Sequence, residues 1–337
     1  MRPLVQAGHS AGRAAGATAL AHANIAFIKY WGNRDDDARL PANPSLSMAL
    51  EALHTVTTVL FDDRLAQDEV TIDGRPASPA ARARVSRQLD LVRRCAGWFA
   101  AARVVSRNNF PSGVGLASSA SAFAALTLAA CAAAGLQLDE SQLSALARRA
   151  SGSACRSVPG GFVEWEMGQD EASSFAHSLA PPDHWQLYDV IVLVSSSPKP
   201  VSSADGHRLA AGSPLQVARL SAVPGLLAAC RQAVLNRDLA ALGAIIEQDA
   251  LLMHAVMLTS QPPLIYWSPA TLEVLQAVRE WRARGVPTYF TMDAGPNVHL
   301  ICEAAGAAEV AALAARLPGV LSVLVSAPGG PAHLVEE

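Results

Sequence analysis

Short apolar runs rich in β-branched residues alternate with turn-forming clusters through residues 17–61, ATALAHANIAFIKYWGNRDDDARLPANPSLSMALEALHTVTTVLF. That period predicts strands, with HTVTTVLF suited to a sheet and residues 69–72 a further strand before the Asp73-Gly74 turn. Between residues 78 and 101 the spacing turns helical, with Val85, Leu89, Leu91, Val92 and Trp98 near one side. A strand at 103–106 then leads into NNFPSGVGLASSASAFAAL at 108–126, turn material followed by a helix. Gly135 is expected to stop that helix and Asp139 to cap the next, which runs to Ala150. The strings FVEW (162–165) and DVIVLVSS (189–196) read as strands, the second broken off by Pro198 and Pro200. Apolar helices are expected at 217–236, 238–254 and 271–284, and strands at 289–292 and 298–302 flank the turn Ala294-Gly295-Pro296. We place a domain boundary at 195/196, giving units 1–195 and 196–337, with residues 1–17 a loose Ala/Gly-rich tail. No internal repeat appears.

Composition narrows the class. A hydrophobic content of 51% is ample for a buried core. A net charge of -3 with 16% charged residues leaves no basic bulk for nucleic acid, and no Lys/Arg run marks a membrane surface. No uninterrupted apolar span looks long enough to cross a bilayer, so phosphate binding must be local and a cytoplasmic enzyme is expected. The five cysteines are odd in number and scattered, as reduced thiols would be. His254 and His299 lack the carboxylate or cysteine spacing of a metal site and are expected to be packed structurally.

Four strings carry the chemistry. In residues 108–126, Pro111, Ser112, Gly113 and Gly115 permit a turn with free N–H groups, and Ser118, Ser119 and Ser121 open the helix behind it. Such a turn at a helix N-terminus binds anions, here a phosphate chain, although the Walker spacing is absent and a plain strand-to-helix connection also fits. NIAFIKYWGNRD (24–35) also fits a strand with Lys29, Tyr30 and Arg34 at its surface. SGSACRSVPGGFVEW (151–165) gathers hydroxyls and Arg156, and also fits a polar turn whose arginine caps the preceding helix. In MDAGPNV, Asp293 sits at a strand end, where a turn residue bonding its own backbone would sit too.

Together these strings resemble the GHMP kinase superfamily. NNFP followed by GLASSAS, NIAFIKYWGNRD, SGSACRS and MDAGPNV are most similar to its mevalonate diphosphate decarboxylase branch, in the family's order across nearly the whole chain. The resemblance implies a two-domain α+β fold, an N-terminal domain like ribosomal protein S5 and a ferredoxin-like C-terminal domain, with ATP and Mg²⁺ bound in the cleft between them. Homodimers are common in the family. Catalytic roles pass to Asp293, Lys29, Arg156 and Asn24; substrate binding to Tyr30, Asn33, Arg75, Ser151, Ser153 and Arg156. The nucleotide falls to Asn109, Pro111, Gly113, Gly115, Leu116, Ala117, Ser118, Ser119 and Ser121, with Ser118 or Ser119 on the metal. The stretch VSSADGHRLAAGSPL resembles the family's mobile S-x-x-G-M segment less faithfully, with His207 where methionine or a basic residue is usual.

The implied reaction is ATP-dependent decarboxylation of a 5-phosphorylated mevalonate, with the C3 hydroxyl phosphorylated first. One position departs: the family's second lysine is Asn33 here, and an amide offers a phosphate only neutral hydrogen bonds. That substitution points to mevalonate 5-phosphate, and so to the phosphomevalonate decarboxylase variant, with the 5-diphosphate as alternative and Arg75 as a compensating cation. A kinase that stops at the 3-phosphate and a non-catalytic nucleotide- or mevalonate-binding module are competing readings. Retention of both Asp293 and Lys29 speaks against the kinase, and undamaged motifs against the module.

Overall fold

The computed structural model describes residues 16–110, 118–197 and 201–335. In chain order the first layer pair contains β1 (Gly16–Ile28), β2 (Asn33–Asp35), β3 (Leu40–Pro41), β4 (Ser45–Phe61), β5 (Glu69–Ile72), β6 (Arg75–Pro76), α1 (Pro79–Ala96), β7 (Ala102–Asn108), α2 (Ser118–Ala133), α3 (Glu140–Ala150), β8 (Phe162–Trp165) and β9 (Ala176–Ala180). A short 3-10 segment, Gly152–Ser157, joins α3 to β8. Ser78 caps α1 with Pro79 behind it, and Gly97 ends it in a left-handed conformation at φ 65, short of the expected limit at residue 101. Asp139 and Gln142 exchange side-chain bonds with each other's backbone N–H, so α3 starts where the sequence indicates.

The second group comprises β10 (Leu187–Leu193), α4 (Ser203–Leu209), α5 (Gln216–Asn236), α6 (Leu239–Thr259), α7 (Pro269–Ala283), β11 (Tyr289–Thr291), β12 (Val298–Glu303), α8 (Ala304–Ala314) and β13 (Ser322–Ser326), before β14 (His333–Val335). The first sheet has the order β14-β1-β4-β7-β5-β6, with β8 beside the early part of β4 and β9 beside β8; the second is antiparallel, β11-β12-β10-β13. This is the expected two-domain α+β architecture. Its boundary differs, because β10 pairs with β12 and β13 and so joins the second sheet before residue 196, while β14 returns to β1. Gly16 and Ala17, expected in a tail, already pair with β4.

Apolar cores lie on both faces of the first sheet. Val59, Phe61, Leu89, Val92, Val104, Phe123 and Leu126 close it onto α1 and α2. On its other side Ile25, Phe27, Leu46 and Met48 share one apolar cluster with Ile191, Val223, Leu227 and Ile246 of the second unit. The two units are thus welded by burial along β1 and β4. α6, interrupted by Glu247 and Asp249, is long and apolar enough to cross a membrane by length and composition alone. Half of that stretch is buried in this fold and it carries Asp249 and His254 inside, so α6 is a core helix.

Candidate active site

A cleft of about 390 Å³ opens where β1 ends, between the two sheets. Lys29 follows directly on β1 and is 1% exposed. Its Nζ donates to Ala26 O at 2.6 Å and to Asp293 Oδ1 at 3.0 Å. Its backbone is held as firmly: Lys29 N donates to Asp249 Oδ2 (2.6 Å), while Lys29 O accepts from Asn43 Nδ2 (2.9 Å) and Arg219 Nη2 (2.7 Å). Arg219 from α5 and Asp249 from α6 are themselves buried and paired at 3.4 Å. Burial draws the Lys29 ammonium below its ordinary value, opposed by Asp293 and Asp249. Burial also pushes Asp293 upward, yet Lys29, His299 and Arg156 outweigh it and hold the carboxyl below the usual aspartate range, ionised and able to accept a proton. His254 Nε2 meets Asp293 O at 2.9 Å, and His299 Nδ1 meets Asp189 Oδ2 at 2.6 Å, the structural roles expected of both histidines.

Arg156 lies across from this pair. Its Nε donates to Asn24 Oδ1 (3.1 Å) and its Nη1 to Ser45 Oγ (2.7 Å), and it lines the cleft. Asn24 itself does not line the cleft. Its Nδ2 donates to Ser157 Oγ (2.8 Å) and Ser153 O (3.3 Å), so its amide ties Arg156 to the Gly152–Ser157 segment. Ser151, Gly152 and Ser153 border the cleft, and a Cβ on Gly152 would fall 2.5 Å from the Tyr30 ring; only glycine lets that ring lie there. Burial pushes the Tyr30 phenol up, keeping it a donor, and it donates to Asn33 Oδ1. Asn33 Nδ2 in turn donates to Asp36 Oδ1 at 2.7 Å, which directs the amide along the β2–β3 hairpin and away from the cleft.

The stretch that matches the family pattern least is nonetheless at the site. Ser202, Ser203, Ala204 and His207 of the α4 region line the cleft, with His207 stacked on Tyr30 at 4.1 Å and tilted against Trp31 at 4.5 Å. Gly32 N donates to His207 Nδ1 at 3.0 Å, which makes Nδ1 the acceptor and leaves the proton on Nε2. Burial, Arg39, Arg156 and Arg219 drive the His207 pKa down to about 3, so the ring is neutral.

Ser118 and Ser119 at the start of α2 reach the cleft, and Ser119 Oγ lies 3.4 Å from Ser151 Oγ. Pro111, Gly113, Gly115, Leu116 and Ala117 lie outside the described residues. Two expected nucleotide contacts are turned elsewhere: Ser121 Oγ bonds Thr55 Oγ1 (2.7 Å), and Asn109 clamps β4 through Ala52 O (2.8 Å) and His54 N (2.8 Å). Arg75, expected near the substrate, is exposed on β6 and does not line the cleft, because the Asp73-Gly74 turn carries it to the sheet edge. A neighbouring apolar cavity of about 180 Å³, lined by Val70, Ile72, Val85, Val104, Phe123 and Leu126, meets the cleft at Ser118, Ser119 and Arg84. Among the described residues no cluster of His, Cys, Asp and Glu forms a metal cage. Among the described residues, Asp293 is the carboxylate lining the cleft and the other side-chain oxygens there are hydroxyls, which fits Mg²⁺ carried mainly by phosphates and water.

Sequence reasoning passes over Arg39, Arg84, Arg219 and Asp249, and takes His207 only as a misfit. For Arg219 and Asp249 a signal exists: each is a charge within a strongly apolar stretch of helix and is fully buried. Arg39 and Arg84 have none, since nothing local aims them at the cleft.

A half-buried aspartate paired to a buried lysine, an arginine facing the same cleft and serines at a helix start are the groups an ATP-dependent carboxy-lyase on the GHMP kinase fold would need. Comparison with known proteins agrees. Residues 21–176 match the family described as diphosphomevalonate decarboxylase-like N-terminal domain, and residues 190–321 the mevalonate 5-diphosphate decarboxylase C-terminal domain. The chain is 38% identical over 308 residues to the diphosphomevalonate decarboxylase of Ganoderma lucidum, covering 83% of this chain and 76% of that protein. It superposes on the mevalonate diphosphate decarboxylase of Enterococcus faecalis with a TM-score of 0.90 at 38% identity, covering 96% of this chain and 100% of that one. A structure described as MDDEF in complex with MVAPP, AMPPCP and magnesium gives 0.91, also at 38% identity with 96% and 100% coverage. The Staphylococcus aureus enzyme gives 0.91 at 36%, with 96% and 99% coverage. The chain belongs to the diphosphomevalonate decarboxylase family. These relatives carry the diphosphate in their names, so they favour the substrate placed second on sequence grounds.

Proposed function

We propose that this enzyme uses ATP to decarboxylate mevalonate 5-diphosphate to isopentenyl diphosphate, carbon dioxide, ADP and phosphate. The observation that carries the reading is the Lys29–Asp293 pair at 3.0 Å facing Arg156 in one cleft. Direct loss of carbon dioxide would leave a carbanion with nothing to stabilise it, so the tertiary C3 hydroxyl must first become a leaving group. Asp293 accepts that hydroxyl's proton as its oxygen takes the γ-phosphate of ATP. Lys29, anchored through its backbone as well as its Nζ, keeps Asp293 ionised and offsets charge on the transferring phosphoryl group. When phosphate leaves C3, the electrons of the C–CO₂ bond form the alkene, and Arg156 holds the carboxylate in line for that step. The nucleotide base takes the apolar cavity beside Phe123, and Arg84 stands where that cavity meets the cleft. Mg²⁺ on Ser118 or Ser119 would neutralise phosphate charge.

A second reading, mevalonate 5-phosphate, is favoured by Asn33, whose amide is spent on Tyr30 and Asp36. Carbon dioxide release and ADP formation measured with each ester separate the two. The diphosphate is expected to have the higher kcat/KM, and a preference for the monophosphate reverses the assignment. ADP formation without carbon dioxide would make the protein a 3-kinase.

A further inference from the structure

We infer that Arg39 holds the outer phosphate of the substrate's diphosphate, supplying from the far side of the β2–β3 hairpin the cation that position 33 lacks. The inference rests on the diphosphate reading and gives it a residue. Arg39 lines the cleft together with Tyr30, Ser151, Gly152, Ser153 and Arg156. It is close enough to Tyr30 and His207 for its positive charge to draw down the pKa of both rings' ionisable groups. Its backbone is left-handed at φ 50, an uncommon state for a residue other than glycine, in the turn that reverses the chain between β2 and β3. Its Nε donates to Arg149 O at 3.0 Å, which fixes the plane of the guanidinium and leaves Nη1 and Nη2 without a partner among the described residues. Arg39 makes no ion pair among those residues. The acid on the hairpin nearest to Asn33, Asp36, is taken by Asn33 Nδ2, and Arg149 is itself paired with Glu171. Arg39 also borders a second concavity with Asp36, Asp37 and Asp90, but among the described residues it pairs with none of them. A half-buried guanidinium held at Nε, at the edge of a cleft already lined by hydroxyls and a glycine backbone, has the donors for two-point contact with an oxyanion.

Other cations at the cleft are committed. Lys29 is spent on Asp293 and Ala26, Arg156 is fixed by Asn24 and Ser45 for the carboxylate, and Arg84 lies over the Phe123 ring at 4.9 Å on the side of the apolar cavity. Arg39 is therefore the cation placed at the Tyr30 end, where Asn33 stands.

The test compares kcat/KM for mevalonate 5-diphosphate and 5-phosphate in the native protein, Arg39→Met and Arg39→Met/Asn33→Lys. Loss of a charge-assisted two-point contact should lower kcat/KM for the diphosphate by roughly 10- to 100-fold, mainly through KM, with less than about 3-fold change for the monophosphate. Lysine at position 33 should recover a good part of that loss, at least about 5-fold. An unchanged diphosphate value in Arg39→Met, or an equal fall for both esters, overturns the role of Arg39 while leaving the diphosphate reading intact. Failure of the double variant to recover any diphosphate activity also overturns it, because the two positions would then not share one phosphate. A native enzyme that turns over the monophosphate alone overturns the diphosphate reading before any variant is made, and the role of Arg39 with it.

Discussion

The two ends of the cleft are built differently. At the reacting end, Lys29, Arg219, Asp249 and Asn43 are all 2% exposed or less and joined by bonds that draw on β1, the loop before β4, α5 and α6. At the other end, next to the buried Tyr30, the residues Asn33, Asp36 and Arg39 sit on one short hairpin with its acids in solvent. Replacing any member of the first set strands a charge or a polar group in low dielectric, where an unpaired partner costs several kcal/mol. In the second set water stands ready to replace a lost partner. The departure from the family pattern, Asn33, falls in the end that tolerates it.

The largest effect should come from the reacting end. Asp293→Asn removes the base and keeps the shape, so carbon dioxide release and ADP formation should both fall roughly 10²- to 10⁴-fold with unfolding unchanged in denaturant titration. A variant still forming ADP in step with substrate loss would remove Asp293 from the proton transfer and break the contrast at its strongest point. Next, Arg219→Met leaves Asp249 buried without its cation and should lower unfolding free energy by about 3–5 kcal/mol. The exposed pair Arg208–Asp205 on α4 is the control, since Arg208→Met should change stability by less than about 1 kcal/mol in the same urea titration. Equal losses from the two would mean that burial does not separate these regions.

The smallest effect concerns α4. Because His207 is held neutral with a pKa of about 3 when docked, and returns toward 6.5 when released, any released or unfolded state takes up a proton first as pH falls below about 6.5. Docking of α4 should therefore weaken progressively between about pH 6.5 and 5, read as faster amide exchange at 203–209. Asp293, with its pKa lowered, contributes stability that is lost only as pH falls through that lower value, below this window. His207→Gln should remove the pH dependence; its persistence would place the titration on another group.

Much of this site is legible locally. Asp139 and Asp238 announce their helices, and Asp293 and Arg156 stand out because motif and turn coincide in the sequence. What stays hidden is the partner: a charge within an apolar helix marks Arg219 and Asp249 but does not say what they meet. Arg219 and Asp249 meet Lys29 only after two helices fold over the end of β1, so the ion pair that explains their burial spans the second domain. Asn24 reads as catalytic because a motif marks importance without saying which way a side chain turns; pairing with β4 buries it behind Arg156. The same applies to Ser121, whose hydroxyl faces Thr55, and to Asn109, which faces Ala52 and His54. The helix expected at 217–236 is continuous through Pro224, as burial of Val223 and Leu227 holds the segment in place.

The return of residues 333–335 to pair with 18–20 makes the second sheet an insertion rather than an appendage. The chain crosses into the second sheet after β9 and crosses back after β13, so two strands of backbone tether the units on top of their shared apolar seam. Pairing partners this far apart in the chain give the topology a high contact order, and loop closure over such spans slows folding. Without β14, the outward N–H and C=O groups of Thr18–Leu20 are an open edge for another strand. β14 thus seals the outer edge of β1 at Thr18–Leu20, while the lysine beyond the far end of the strand is held by α5, α6 and Asp293 instead.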